Sequence, residues 1–404
     1  MLQTWRWFGP RDLTKLEHVR QAGATGIVSA LHHVTSGAVW TPEEIARRQQ
    51  EIETLPDGRP SGLHWAVVES LVVSEDVKQQ KGDYRAHFAN YRESLHNLKQ
   101  AGIDTICYNF MPVIDWTRTN LRWPLPSGGT AMRFDYVEFA AFDIHLLQRP
   151  GASDDFPEAV VAAADEIFAR MDDADQKALI DNVVAGLPGA NENLSLSDVR
   201  DLLAAYDNTS AEQLRRHLTD FLGEVVPTAE ELGMRLCCHP DDPPFALLGL
   251  PRIMSTKEDY QLALDAVPSP ANGMTFCSGS LGARPDNDLV DIVRTFAPKI
   301  HFVHLRNVTR QSDEITGSFF EDEHLSGQAD MVAIVAELLI EEKRRREEGR
   351  ADHQIPMRPD HGQDIVDDLG RSGQPGYPTI GRLKGLAELR GVMAALAATH
   401  PSLV

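Results

Sequence analysis

Three times in this chain the same phrase recurs: an amphipathic helical pattern, a glycine, then a short apolar run rich in β-formers that ends in polar residues. It reads LEHVRQAGATGIVSALHH, LHNLKQAGIDTICYNFMP and TAEELGMRLCCHPDD. Gly23, Gly102 and Gly233 stand where a helix takes a left-handed C-terminal cap. Each phrase is half of a βα unit, and a chain built from such units folds as a parallel sheet covered by helices.

Collecting the apolar runs gives eight predicted strands, near residues 3–8, 26–31, 63–69, 103–110, 234–239, 274–278, 300–306 and 355–360. Eight strands close a barrel. Helical patterns at 12–21, 85–100, 289–296 and 331–346 fall between them, and a last one at 380–399 completes the ring. The predicted fold class is therefore α/β, a (β/α)8 TIM barrel with residues 1–404 in a single domain.

About 120 residues separate the fourth and fifth runs, where a barrel normally needs a few tens, so residues 118–225 are read as an insertion. Its first part, 123–148, alternates and contains Ser127-Gly128-Gly129-Thr130, which reads as a β-hairpin. Its second part, 155–222, is helical by pattern, with Ser195 and Ser210 as N-terminal caps. These elements are expected to form a lid or an oligomer contact over the barrel mouth. The charged run EEKRRREEGR (341–350) is read as a solvated helix end.

The composition, 42% hydrophobic and 25% charged, is that of an ordinary globular protein, and no run approaches the roughly 20 apolar residues of a membrane span. The opening MLQTWRWFGPRD lacks the basic region and apolar core of a secretory signal, so a cytoplasmic location is expected. With 39 Lys and Arg against 60 Asp and Glu the formal charge is −21, which argues against nucleic-acid and anionic-membrane partners. A small anionic substrate answers instead to a few local arginines, because charge is screened beyond roughly 8 Å. Four cysteines, two of them adjacent, are too few for a disulfide scaffold. Cys107, Cys237 and Cys238 are read as core thiols.

Barrel enzymes carry their chemistry at the C-terminal ends of the strands. The fifth run ends at His239, the sixth at Cys277, the seventh at His304 and Arg306, and the eighth at Asp360 and His361. Two imidazoles, a thiolate and a carboxylate from successive strands form a donor set for a divalent transition metal. The set is too soft for a dedicated Mg2+ or Ca2+ site and leaves Fe2+, Mn2+, Co2+ and Zn2+ open. The first four runs end in further polar candidates: Arg6 and Trp7, His32 and His33, Glu69, and Asn109.

The segments HPDDPP, FCSGSLG, HLRNV, RPDHG and GYPTIGR, with WRWFG, ALHHV and YNFMPVIDWTRT nearer the N-terminus, closely resemble the mannonate dehydratases of hexuronate catabolism over essentially the whole chain. The resemblance implies a barrel of the xylose-isomerase-like type, Mn2+ or Fe2+ as cofactor, D-mannonate as the small-molecule substrate, 2-dehydro-3-deoxy-D-gluconate and water as products, and a homo-oligomer, dimer or higher. It puts the metal ligands on His239, Cys277, His304 and Asp360 and the acid–base residues on His361 and Tyr377. Arg306 is the first choice for stabilising negative charge as it develops on the substrate. Arg6, Trp7, His32, Glu69, Asn109 and Arg358 are expected to contact the substrate. Two other readings compete. One is a metal-dependent sugar isomerase, whose sites rely mainly on carboxylates, of which only Glu69 is a match; the other is a non-catalytic barrel that binds a sugar acid.

Overall fold

A computed structural model describes residues 1–185, 195–206 and 209–403. Among these residues are twelve strands: β1 Leu2–Arg6, β2 Gly26–Ser29, β3 His64–Glu69, β4 Thr105–Tyr108, β5 Asn120–Pro124, β6 Thr130–Phe134, β7 Arg235–Cys238, β8 Asn272–Cys277, β9 Ile300–His304, β10 Asn307–Arg310, β11 Phe319–Asp322 and β12 Pro356–Arg358. Eight of them close a barrel in the order β1-β12-β9-β8-β7-β4-β3-β2. Every pairing in it is parallel, from Thr4↔Gly26 between β1 and β2 to Gln3↔Met357 between β1 and β12. The eight predicted strands are these eight; most are shortened, while β1 begins one residue earlier, at Leu2, and β8 two residues earlier, at Asn272.

The barrel forms because its strands are apolar on both faces. Val28, Val67, Cys107, Cys237 and Phe302 pack on one another as a small buried cluster, and strand residues such as Ile27, Val68, Ile106 and Leu236 belong to the main core, with residues of the helices Leu16–Gln21, Tyr84–Gln100, Leu289–Phe296, Met331–Glu347 and Thr379–Thr399. Alternate residues of a strand point to opposite faces, so a strand wrapped on both sides must be apolar at nearly every position. Gly23, Gly102 and Gly233 take φ of 83°, 78° and 65°, the left-handed caps read from the recurring phrase. The first helix begins at Leu16, because Asp12 instead accepts the N–H groups of Phe8 and Thr14 and folds 8–14 into a turn.

Between β4 and β7 the hairpin β5–β6 is followed by the helices Tyr136–Ala141, Glu158–Phe168, Asp173–Val184, Leu196–Ala205 and Ala211–Glu231. The alternation read over 123–148 is strand only as far as Phe134. Asp135 then accepts the N–H groups of Val137 and Glu138, both at 2.9 Å, and starts a helix. Ser195 and Ser210 cap their helices by accepting from Asp198 and Gln213. The helical reading of 186–194 and 207–208 falls outside the described residues.

One feature has no counterpart in the sequence patterns, and another reverses a reading of them. Strands β10 and β11, directly after β9, pair with the inserted hairpin into an antiparallel sheet of order β10-β11-β6-β5, with Phe319 opposite Phe134. Part of the run 341–350 is buried instead of solvated. Arg345 donates to Glu341 at 2.6 Å and to the carbonyls of Ala297 and Ile300, while Glu342 accepts from the Met1 ammonium at 2.8 Å and the Ile355 N–H at 2.7 Å. Buried charges persist when paired and fully hydrogen-bonded. These two pairs tie the helix to the N-terminal ends of β1 and β9.

Candidate active site

The parallel order β12-β9-β8-β7 brings the C-terminal ends of four neighbouring strands to one arc of the rim. Donor atoms of His239, Cys277 and His304 lie within 4.8 Å of one another there. Nδ1 of His239 is 2.6 Å from the Pro240 carbonyl, which only accepts, so the proton sits on Nδ1 and Nε2 presents a lone pair. That Nε2 is 3.1 Å from Nδ1 of His304, close to the spacing of about 3 Å expected for two nitrogens bound at roughly 2.0–2.1 Å to one ion. The Ser280 N–H donates to Cys277 Sγ at 3.4 Å. Two nitrogens and a sulfur that converge in a nearly buried site fit a divalent transition metal.

Asp360 stands at the edge of this cluster. Its φ of 66° lies in the left-handed region, which Asp tolerates better than most residues, and the bend directs its carboxylate toward the cluster. Oδ2 is 3.8 Å from Cys277 Sγ and 3.9 Å from His304 Nδ1, and Oδ1 accepts from Arg358. Burial by itself raises its pKa, but the guanidinium of Arg358, then His361, His304 and Arg306, hold the carboxyl well below the usual range.

His361 extends the site away from the cluster. Its Nε2 is 3.3 Å from the Tyr377 hydroxyl, and its ring meets the phenol edge-on at 4.9 Å. Nδ1 has two neighbours at 3.3 Å, Nη1 of Arg306 and Oε1 of Glu321. Burial pushes the Tyr377 phenol up, against the pull of Arg358 and Arg6.

Arg306 is held by a buried network that includes three residues the strand-end survey did not choose. Arg118 donates to Asp242 at 2.8 and 3.2 Å and to Glu321 at 2.6 Å, while Arg306 donates to Asp242 at 2.8 Å and lies 3.3 Å from Glu321. Asp242 and Arg118 lie inside the motifs HPDDPP and DWTRT, where their charge is a usable signal. Glu321 carried none, since β11 reaches the rim only through its long-range pairing. Gly279 makes room for the network, because a Cβ at that position would lie 1.9 Å from Arg306 Nε, whose guanidinium is pinned and cannot give way.

Glu321 sets a pH dependence. Burial raises its pKa, but Arg306, His361 and Arg118 outweigh that and hold it at about 2. A folded value below the unfolded carboxyl's, roughly 4.3, stabilises the fold above pH 4.3, and this contribution is lost as pH falls toward 2. Urea midpoints measured between pH 6 and 3 are expected to fall less steeply with acid in Glu321→Gln than in the wild type. Equal slopes would show that Glu321 does not contribute.

On the side of β1 to β4 opens a cavity of about 500 Å3 lined by Arg6, His32, Asn109, Lys78 and Asp115 among others. Arg6 Nε and both ring nitrogens of His32 have no hydrogen-bond partner among the described residues. Burial, then Arg6 and Arg48, push His32 down to about 3, so it is neutral near pH 7, with one donor and one acceptor. Asn109 donates to Asp115, whose carboxyl burial pushes up to about 6. Glu69 and Arg358 pair with each other behind the rim. Trp7 is packed in the hydrophobic core, with its Nε1 donating to the Thr14 carbonyl, and is not among the residues lining the cavity.

A closed parallel barrel with a His/Cys/His cluster at its C-terminal rim defines a (β/α)8 protein whose rim could hold a metal ion. Comparison with known proteins makes this specific. Residues 1–402 match the family described as D-mannonate dehydratase (UxuA), and the chain belongs to that family. It is 58% identical over 396 residues to a mannonate dehydratase of Rhizobium meliloti (strain 1021), covering 98% of this chain and 97% of the relative. Identity is 56% to Mannonate dehydratase 1 of Agrobacterium fabrum (strain C58), with the same coverage. A crystal structure of mannonate dehydratase from Streptococcus suis serotype 2 superposes with a TM-score of 0.75 at 31% identity, covering 99% of this chain and 94% of that one. Among the described residues no helix is long and apolar enough to cross a membrane.

Proposed function

We propose that this chain takes water out of D-mannonate to give 2-dehydro-3-deoxy-D-gluconate in hexuronate (glucuronate) catabolism, working in the cytoplasm as a homo-oligomer. The reading is carried by one observation: a His/Cys/His donor cluster lies beside the His361–Tyr377 pair in a member of the D-mannonate dehydratase family.

The reaction removes a proton from the carbon next to the carboxylate and expels hydroxide from the neighbouring carbon. Mn2+ or Fe2+ held by His239, Cys277, His304 and Asp360 would supply a Lewis acid that polarises substrate oxygens. Proton transfer falls to His361 and Tyr377. With the proton of a neutral His361 on Nδ1, where Glu321 can accept it at 3.3 Å, Nε2 presents a lone pair beside the Tyr377 hydroxyl. Nε2 can then accept the α-proton while the Tyr377 hydroxyl protonates the departing hydroxide, and return of the proton from Nε2 to the phenolate across 3.3 Å restores both groups. Arg306 adds positive charge beside the reacting carbons.

Arg6, His32 and Asn109 contact the substrate from the cavity, and the neutral His32 suits a hydroxyl better than a carboxylate. Glu69 and Arg358 brace that wall, and Trp7 backs it from the core. His32→Leu is expected to raise KM by about 2- to 10-fold, the worth of one or two hydrogen bonds, with kcat nearly unchanged. An unchanged KM removes His32 from the substrate's contacts.

The reading is tested by assaying the α-keto acid product from D-mannonate with chelated enzyme, then after adding back Mn2+, Fe2+ or Zn2+. Activity only with metal is expected, and undiminished turnover in chelator sinks the metal's role. Cys277→Ser is expected to weaken Mn2+ binding by at least about tenfold, since a hydroxyl is a far poorer donor than a thiolate. Metal analysis showing full occupancy would return Cys277 to the core. Light scattering reads the oligomer directly, and a monomer at assay concentration contradicts that part of the reading.

A further inference from the structure

Glu69, at the C-terminal end of β3, is buried and its carboxylate is already committed. Oε1 is 2.9 Å from Arg6 Nη1, 2.8 Å from Arg358 Nη2 and 3.4 Å from His304 Nε2, while Oε2 accepts from Arg358 Nε at 3.0 Å. Such a carboxylate has little left to offer a substrate hydroxyl. What it does meet is the back of a ligand ring.

His304 presents its two nitrogens to different surroundings. Nδ1 faces His239 Nε2 at 3.1 Å, within the donor cluster. Nε2 is sealed from solvent and completes no hydrogen bond among the described residues, but Oε1 of Glu69 lies 3.4 Å away, near enough to take its proton with a small turn of the ring. A carboxylate only accepts, so the favourable arrangement puts the imidazole proton on Nε2 and a lone pair on Nδ1. Across the 3.1 Å gap, His239 also presents a lone pair, because its own proton is held by the Pro240 carbonyl. Two lone pairs pointed at each other repel unless a cation lies between them. Either imidazole in the other tautomer would turn this gap into a hydrogen bond and close the site to a metal.

We propose that Glu69 is a positioning residue for the metal centre: it holds the proton of His304 on Nε2, which keeps Nδ1 free as a ligand, and the two arginines hold Glu69 in place. The proposal rests on the metal-dependent reading above and assigns Glu69 to His304 instead of to the substrate. Loss of such a partner typically weakens metal binding by about 10- to 100-fold.

The test titrates the full-length chelated protein with Mn2+, reading free Mn2+ by its EPR signal, in the wild type and in Glu69→Gln, with thermal midpoints measured in chelator. A Kd about 10- to 100-fold weaker in the variant, with a folded apoprotein, is expected; a Kd within about threefold of the wild type overturns the proposal and leaves the metal reading standing. Wild-type protein that takes up no Mn2+ overturns both. A second measurement needs no variant at Glu69. In Zn2+-loaded wild-type protein labelled with 15N-histidine and assigned with His304→Asn, the His304 proton is expected on Nε2 and slow to exchange. A proton on Nδ1, with the metal on Nε2, overturns the proposal whatever Glu69→Gln does.

Discussion

Replacing His361 with Asn is expected to lower kcat by about a hundred- to ten-thousand-fold while Mn2+ stays bound, because the role proposed for the ring is proton transfer and not metal ligation. The side chain is buried at the junction of Tyr377, Arg306, Glu321 and Asp360, with Trp116 edge-on at 6.2 Å, so Asn keeps much of the volume and a polar end. Tyr377→Phe removes only the hydroxyl, and a fall in kcat of similar order is expected. Measured together with metal occupancy, the pair separates proton transfer from metal loss. Near wild-type turnover in both variants, with metal bound, would remove His361 and Tyr377 from the mechanism.

The second large effect concerns stability. Arg118→Leu is expected to cost about 3–5 kcal/mol, since it leaves the two buried carboxylates Asp242 and Glu321 sharing one arginine, Arg306, in place of two. That is a large share of the roughly 5–15 kcal/mol by which a folded domain is stable. Urea unfolding of the chelated protein measures it, and chelation keeps metal binding from masking the change. Arg118→Leu combined with Asp242→Asn and Glu321→Gln removes the orphaned charges, and recovery of part of the loss is expected. A single variant as stable as the wild type would mean that Arg306 alone satisfies both carboxylates.

The two effects share one cause. Glu321 belongs to the network that Arg118 neutralises and also lies 3.3 Å from His361 Nδ1, so the charge balance that keeps the sheet β10-β11-β6-β5 on the rim also sets the surroundings of the proton carrier. A variant that loosens the sheet is therefore expected to lose activity before it unfolds. Activity that follows global unfolding point for point in a urea series would contradict this.

What the sequence by itself determined is what local chemistry determines. Glycine caps, apolar periodicity and the residues that end each run are properties of short segments, so eight strands, their order along the chain and the helices between them were legible. A parallel barrel puts every strand's C-terminal end on one rim, which is why strand ends alone bring His239, Cys277 and His304 together, with Asp360 at their edge. Contacts between distant segments needed the tertiary structure. Arg118 and Glu321 are 203 positions apart, and Glu69 and Arg358 are 289 apart. No periodicity in either segment announces the other. Nor does sequence say that Trp7 turns into the core, that Arg345 is buried, or which nitrogen of His304 faces a metal, since each depends on what a neighbouring element presents at hydrogen-bonding distance.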